Sequence, residues 1–70
     1  MKTKERRQKI VELVNDLGNL SVGFLAKKFS VSEMTIYRDL IVLESKDLLK
    51  KTTGGAIRTN DFLVHSESSF

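Results

Sequence analysis

The sequence predicts a mainly α fold in which three helices are closed by a small β-hairpin, and three observations carry that reading. Apolar residues recur at helical spacing in three successive stretches of the chain. Little more than Ser30, Val31 and Ser32 separates the second stretch from the third. Beyond Asp47 the helical period stops, and Gly54 and Gly55 stand together between two short runs, which reads as a hairpin turn.

From Lys4 to Leu17, the residues Ile10, Leu13, Val14 and Leu17 fall at i, i+3, i+4 and i+7, the stripe of an amphipathic helix. Gly18, with Asn19 beside it, supplies the stop. Leu20 and Ser21 read as a connector, and Ser21 is placed to cap a second helix with the stripe Val22, Leu25, Ala26 and Phe29. That helix is short and carries Gly23, so it depends on packing. Ser32 is the N-cap of a third helix that runs to about Lys46 and buries Ile36, Leu40 and Leu43. The short turn forces the second and third helices to cross steeply, as in helix-turn-helix. Ala26 is small where the partner helix must approach, Val31 fills the apolar slot after the turn, and Ser30 stands where glycine is common.

Leu48 to Thr52 and Ala56 to Thr59 flank the turn residues Thr53, Gly54 and Gly55. Two strands alone are barely stable, so this hairpin is expected to lean Leu48, Leu49 and Ile57 on the helices. Three helices and a hairpin in this order make a winged helix-turn-helix, here occupying residues 1–60. Residues 61–70 (DFLVHSESSF) have no clear period and read as a tail or a truncated linker to an effector domain outside the chain.

Composition narrows the function classes. Seventy residues hold one domain, and 40% hydrophobic with 30% charged residues is a globular balance. The absence of cysteine excludes a disulfide framework and a thiolate zinc site, and a single histidine excludes a histidine-rich metal site. No apolar run approaches the length of a membrane span or a signal-peptide core, so a cytoplasmic protein without a membrane partner is expected. Neither GxGxxG nor GxxxxGK[ST] is present, and His65 stands apart from any rigid shell, so no enzyme activity, cofactor or metal is expected.

Basic charge gathers at two places. Lys2, Lys4, Arg6, Arg7 and Lys9 face only Glu5 in residues 1–11, and Lys46, Lys50, Lys51 and Arg58 face only Asp47 in residues 46–58. That is the footprint of a nucleic-acid face, although a solvated helix and hairpin share it. With Ile36, Leu40 and Leu43 inward, helical geometry turns Met34, Arg38, Ile41 and Ser45 outward, with Thr35 and Tyr37 on the flanks. The outer face of this helix is what enters a major groove in the architecture. Arg38 is the leading groove residue, for guanine O6 and N7 or for a phosphate; its alternative is pairing with Glu44 or Asp39. Tyr37 either meets a phosphate or a thymine methyl or packs under the wing, and Thr35 either contacts DNA or bonds the preceding turn. An exposed Met34 hints at groove contact, whereas Glu33 is already explained by the helix dipole. Ser21 and Ser32 head helix N-termini that can bind phosphate as well as cap. Lys27 and Lys28 are phosphate candidates on the second helix, and Lys50, Lys51, Thr52, Thr53 and Arg58 surround a flexible wing tip.

The stretch LSVGFLAKKFSVSEMTIYRDLIVLESKDLLKKTTGGAIRT resembles the N-terminal DNA-binding domain of the DeoR family of bacterial transcriptional regulators. The resemblance runs from Arg6 to Arg58 and is most specific at VSEMTIYRDL and at the GGA of Gly54, Gly55 and Ala56. The chain departs from the family pattern at Tyr37, where a second arginine is usual, and at Thr52 and Thr53, where a basic or histidine-containing approach to GGA is usual. The resemblance implies double-stranded DNA as partner and the reader domain of a sugar-operon repressor associated with the bacterial nucleoid. It also implies a homo-oligomeric full-length protein whose C-terminal domain binds a phosphorylated sugar, and Ser66 to Phe70 resemble the start of the connection to it. The alternative is a winged helix that binds protein and no DNA, for which exposed Ile41, Met34 and Phe24 would merge into one patch.

Overall fold

The computed structural model describes residues 1–60, so the tail expected at 61–70 lies outside the described residues. The elements follow as α1 (Thr3–Leu17), β1 (Asn19–Ser21), α2 (Val22–Phe29), α3 (Glu33–Ser45), β2 (Lys50–Thr52) and β3 (Gly55–Ile57). This is a three-helix winged helix-turn-helix.

Both serine caps form as their positions predict. The Ser21 hydroxyl accepts from the Phe24 N–H at 3.0 Å and the Ser32 hydroxyl from the Thr35 N–H at 3.1 Å, satisfying amides that the first turns of α2 and α3 leave free. Gly18 closes α1 at φ +87°, donating its N–H to the Val14 carbonyl at 2.7 Å. Ser30 adopts the left-handed conformation (φ 56°, ψ 45°) at the turn position where glycine is common, and Val31 N–H returns to the Ala26 carbonyl.

The connector expected at Leu20 and Ser21 is instead a strand. β1 pairs antiparallel with β3 in the register Asn19 to Ile57, Leu20 to Ala56 and Ser21 to Gly55, and β2 pairs with the other edge of β3. The sheet order is therefore β1-β3-β2, with the last strand of the chain in the centre. A third strand supplies the support that an isolated hairpin lacks. Gly55 belongs to β3 and not to the turn, which is made by Thr53 and Gly54.

Ile10, Val14, Leu25, Ile36, Leu40, Leu49 and Ala56 are fully buried, with Val22, Leu20, Ala26 and Leu43 nearly so. Of the hairpin residues expected to lean on this core, Leu49 does so, Ile57 is half-buried, and Leu48 is 44% exposed. Ala56 takes the central place, fully buried on the middle strand opposite Leu20. Leu17, on the stripe of α1, is 60% exposed: the helix outruns the core by a turn.

Among the described residues one carboxylate lies inside. Asp39 is completely buried and accepts from Arg6 Nε at 2.5 Å and Nη2 at 3.0 Å, and from Arg7 Nε at 2.8 Å. Burial pushes the Asp39 carboxyl up, but the hydrogen bonds and charges of Arg6 and Arg7 outweigh it and hold it below the usual carboxylate range. The same hydrogen bond raises Arg6. Asp39 is therefore no partner for Arg38, and Arg6 and Arg7 from the basic N-terminal block are engaged within the fold.

Candidate nucleic-acid interface

The outer face of α3 is as helical geometry predicts. Met34, Arg38, Ile41 and Ser45 are exposed on one side, with Met34 61% and Ile41 57% accessible. Neither Glu44 nor any other carboxylate pairs with Arg38 among the described residues: Glu44 turns to the wing, where it accepts from the Lys51 backbone N–H at 2.8 Å.

Thr35 hydrogen-bonds Ser32 at 3.0 Å between hydroxyls, so the first turn of α3 is internally tied while both oxygens stay near the surface. Tyr37 is half-buried against the core. Lys51 shares the inward-facing row of the sheet with Leu20 and Ala56, and at the sheet edge its stem leans over Tyr37, with Nζ 5.6 Å from the ring centroid. Tyr37 thus packs under the wing with the Lys51 ammonium over its ring.

The wing tip is pinned. Val22 N–H donates to the Gly54 carbonyl at 2.8 Å, and Gly55 approaches β1 so closely that an added Cβ would lie 1.9 Å from the Leu20 carbonyl oxygen. The flexible tip expected from two glycines is corrected accordingly: one glycine serves close backbone approach, not mobility. In this register Ser21 and Thr52 both stand opposite Gly55, on the two edges of β3. Gly23, in the next turn, faces Glu33 of α3, whose carboxylate would be 4.0 Å from a Cβ there. The head of α2 thus meets the wing tip through Val22 and Gly54 and the head of α3 across Gly23 and Glu33.

The remaining basic residues divide. Lys27 follows Gly23 by four residues and lies on the flank of α2 turned to α3. Lys28 is turned to α1, where it borders a groove of about 310 Å³ with Lys9, Glu12, Leu13, Asp16 and Phe29. Lys50 sits at the base of the wing, 3.8 Å from Asp47. Arg58 also lies at the base: its Nη1 donates to the Asn15 carbonyl at 3.4 Å and its guanidinium covers Gly18, at the carbonyl end of α1. So the structure brings Ser32, Met34, Thr35, Tyr37 and Arg38 together on the first turns of α3, with Lys51 over Tyr37 and with Ser21 and Lys27 on the neighbouring α2; Thr52 and Thr53 stand at the tip side of β2, and Lys28, Lys50 and Arg58 lie outside that group. A larger groove of about 550 Å³, with Val11, Leu43 and Leu48 in its wall, opens between α1 and the end of α3, on the side away from Arg38.

Sequence reasoning missed Arg6 and Asp39 as structural partners. The signal was available: on the α3 wheel Asp39 falls about 40° from Leu43 and about 60° from Ile36, at the margin of the buried arc. Among the described residues, no group of three acidic, histidine or cysteine side chains is placed to hold a metal, and no helix is long and apolar enough to cross a membrane.

A family model for the DeoR-like helix-turn-helix domain matches residues 6–62. The chain is 41% identical over 69 residues to a lactose phosphotransferase system repressor of Staphylococcus aureus, covering 99% of this chain and 27% of that protein. It is 36% identical over 69 residues to the repressor of the same name from Streptococcus mutans, again covering 99% and 27%. It is 45% identical over 58 residues to a putative galactitol utilization operon repressor of Escherichia coli, covering 83% and 52%. The chain thus spans about a quarter of the lactose repressors it matches. No solved structure matches the chain. On the helix-turn-helix match, which takes in all three helices and the wing, the chain belongs to the DeoR-like helix-turn-helix family.

Proposed function

We propose that this chain is the sequence-reading domain of a sugar-operon repressor and binds double-stranded DNA with the first turns of α3 in the major groove. The observation that carries this reading is the unpaired, outward-facing Arg38 on a helix whose head is flanked by the pinned wing tip and the N-terminus of α2. A guanidinium fork free of carboxylates on such a helix suits guanine O6 and N7. Met34 and Ile41 offer apolar contact to thymine methyl groups on either side of it. Thr35, Ser32 and Ser21 at the helix heads, with Lys27, Lys51, Thr52 and Thr53, bracket the groove and hold phosphates. Tyr37 extends this edge under the wing. Lys28, Lys50 and Arg58 lie further out, and Arg58 first of all anchors the wing to α1.

The names of the relatives support the assignment to sugar-operon repression. As the family resemblance implies, the full-length protein would be a homo-oligomer in which a further domain binds a phosphorylated sugar and controls the reader. Two copies on half-sites about 34 Å apart then supply the affinity a lone reader lacks.

Selection against a random-sequence duplex pool, followed by titration of the winners at two salt concentrations, tests the reading. A motif that emerges with affinity falling steeply in salt is the expected result. A domain that binds no duplex even at low salt would instead be a protein-binding winged helix.

A further inference from the structure

We propose that the buried cluster of Arg6, Asp39 and Arg7 is a positioning device for α3, fixing the rotation and axial register at which Arg38 meets DNA. The inference rests on the DNA-reading function proposed above. Arg38 and Asp39 are adjacent on one helix and point about 100° apart, the first outward and the second into the molecule. Any rotation or slide of α3 that moves Arg38 must therefore drag Asp39 within its socket.

Apolar packing does not resist such a movement strongly. Ile36, Leu40 and Leu43 hold α3 to the core by non-directional burial, and small shifts exchange one apolar contact for another. The Arg6 fork is directional: two parallel hydrogen bonds, Nε to Oδ2 at 2.5 Å and Nη2 to Oδ1 at 3.0 Å, are satisfied together at one orientation of the carboxylate. Arg7 adds a third bond to Oδ1 from the next position of α1, at 2.8 Å, and thereby fixes the carboxylate from a second direction. All three bonds cross from the start of α1 to the middle of α3, and no buried side-chain polar atom among the described residues lacks a partner.

Stability alone does not require a charged cluster at this place. Buried ion pairs replaced by apolar side chains of similar volume often leave a protein as stable or more so, and their best-attested role is to set register. A register device is useful on a helix that must present one side chain to a base edge within a fraction of an ångström. Arg6 and Asp39 are thus positioning residues that act through Arg38 without touching DNA.

The test uses the 70-residue chain, a duplex selected by the wild type from a random pool, and a scrambled duplex of equal length. The double variant Arg6→Met, Asp39→Leu fills the same space with apolar atoms and leaves Arg7, whose side chain is 30% exposed, to turn its guanidinium to solvent. We expect it to melt cooperatively and bind the scrambled duplex with the wild-type affinity and salt slope, while its preference for the selected duplex falls at least about fivefold. Arg7→Gln, at a half-exposed position, stays folded and shows a smaller loss of preference with the salt slope unchanged. Undiminished preference in the folded double variant overturns the proposal. So does an Arg7→Gln that weakens both duplexes equally and lowers the salt slope by about one, the mark of a phosphate ligand. Should the double variant not fold, Arg7→Gln decides alone, and wild-type preference there is the negative result. Failure of the wild type to select any motif is a separate outcome, which removes the DNA-reading function itself.

Discussion

The side chain on which reading depends is Arg38, and its environment explains why it is available. The two acidic residues that follow it on α3, Asp39 and Glu44, are each engaged elsewhere: Asp39 with Arg6 and Arg7 inside the fold, Glu44 with the Lys51 backbone amide at the wing. An exposed arginine left without a carboxylate keeps its fork for a ligand. Arg38→Ala is expected to cost about 1–3 kcal/mol on the selected duplex and clearly less on a scrambled one, as read by paired anisotropy titrations. Equal losses on both would assign Arg38 to phosphate positioning. The outward placement of Arg38 was legible from the sequence because helical periodicity is local. The fate of Asp39 was not, because it depends on Arg6, 33 residues away, arriving at the same point. A wheel alone marks Asp39 as inward without saying what neutralises it. Arg58 misled for a similar reason: it is close to the wing tip in sequence, but β3 runs away from the tip and delivers it to the end of α1.

At the scale of elements, the helices and caps follow from short-range patterns, and the sheet does not. β1 is three residues with a single inward side chain, Leu20, which is too little for any alternation to show. It is a strand because β3 arrives beside it, a pairing set by the return of the chain across the helices. That pairing also separates the roles of two glycines that look equivalent in sequence. Gly55 lies where β1 and β3 touch, and a methyl group there would overlap the Leu20 carbonyl; Gly54 has open space around its Cβ position and no positive φ. Gly55→Ala is therefore expected to destabilise the domain by about 1–3 kcal/mol or more, because backbone must move. Gly54→Ala should change stability by less than about 1 kcal/mol, tending to stabilise by restricting the unfolded chain. Thermal melting separates them, since about 1 kcal/mol moves the midpoint of a domain this size by roughly 4–8 °C. Equal melting temperatures for the two variants would mean that β1 does not pair with β3 as described.

For the whole molecule, the buried cluster makes stability depend on acidity in a defined direction. The Asp39 carboxyl is held below the usual carboxylate range by Arg6 and Arg7 against the opposing effect of burial, while the unfolded chain titrates it near about 4. A depressed folded-state value means that the unfolded chain takes up the proton first. The contribution is therefore complete above about pH 5 and is lost progressively as the pH falls below about 4, toward the folded-state value. Arg6 remains cationic throughout, so the dependence belongs to the carboxylate. Urea unfolding of the wild type and Asp39→Asn at a series of pH values isolates it, because the other carboxylates are common to both chains. At pH 7 the variant should be less stable by about 3–5 kcal/mol, since two guanidiniums lose the buried charge to which both are hydrogen-bonded. That gap should narrow steadily below pH 4 as the wild-type carboxylate is protonated and the two chains become electrostatically alike. A gap that stays constant from pH 7 to pH 2 would show that Asp39 contributes through shape and neutral hydrogen bonding, and that the charge on the buried carboxylate is not what joins α1 to α3.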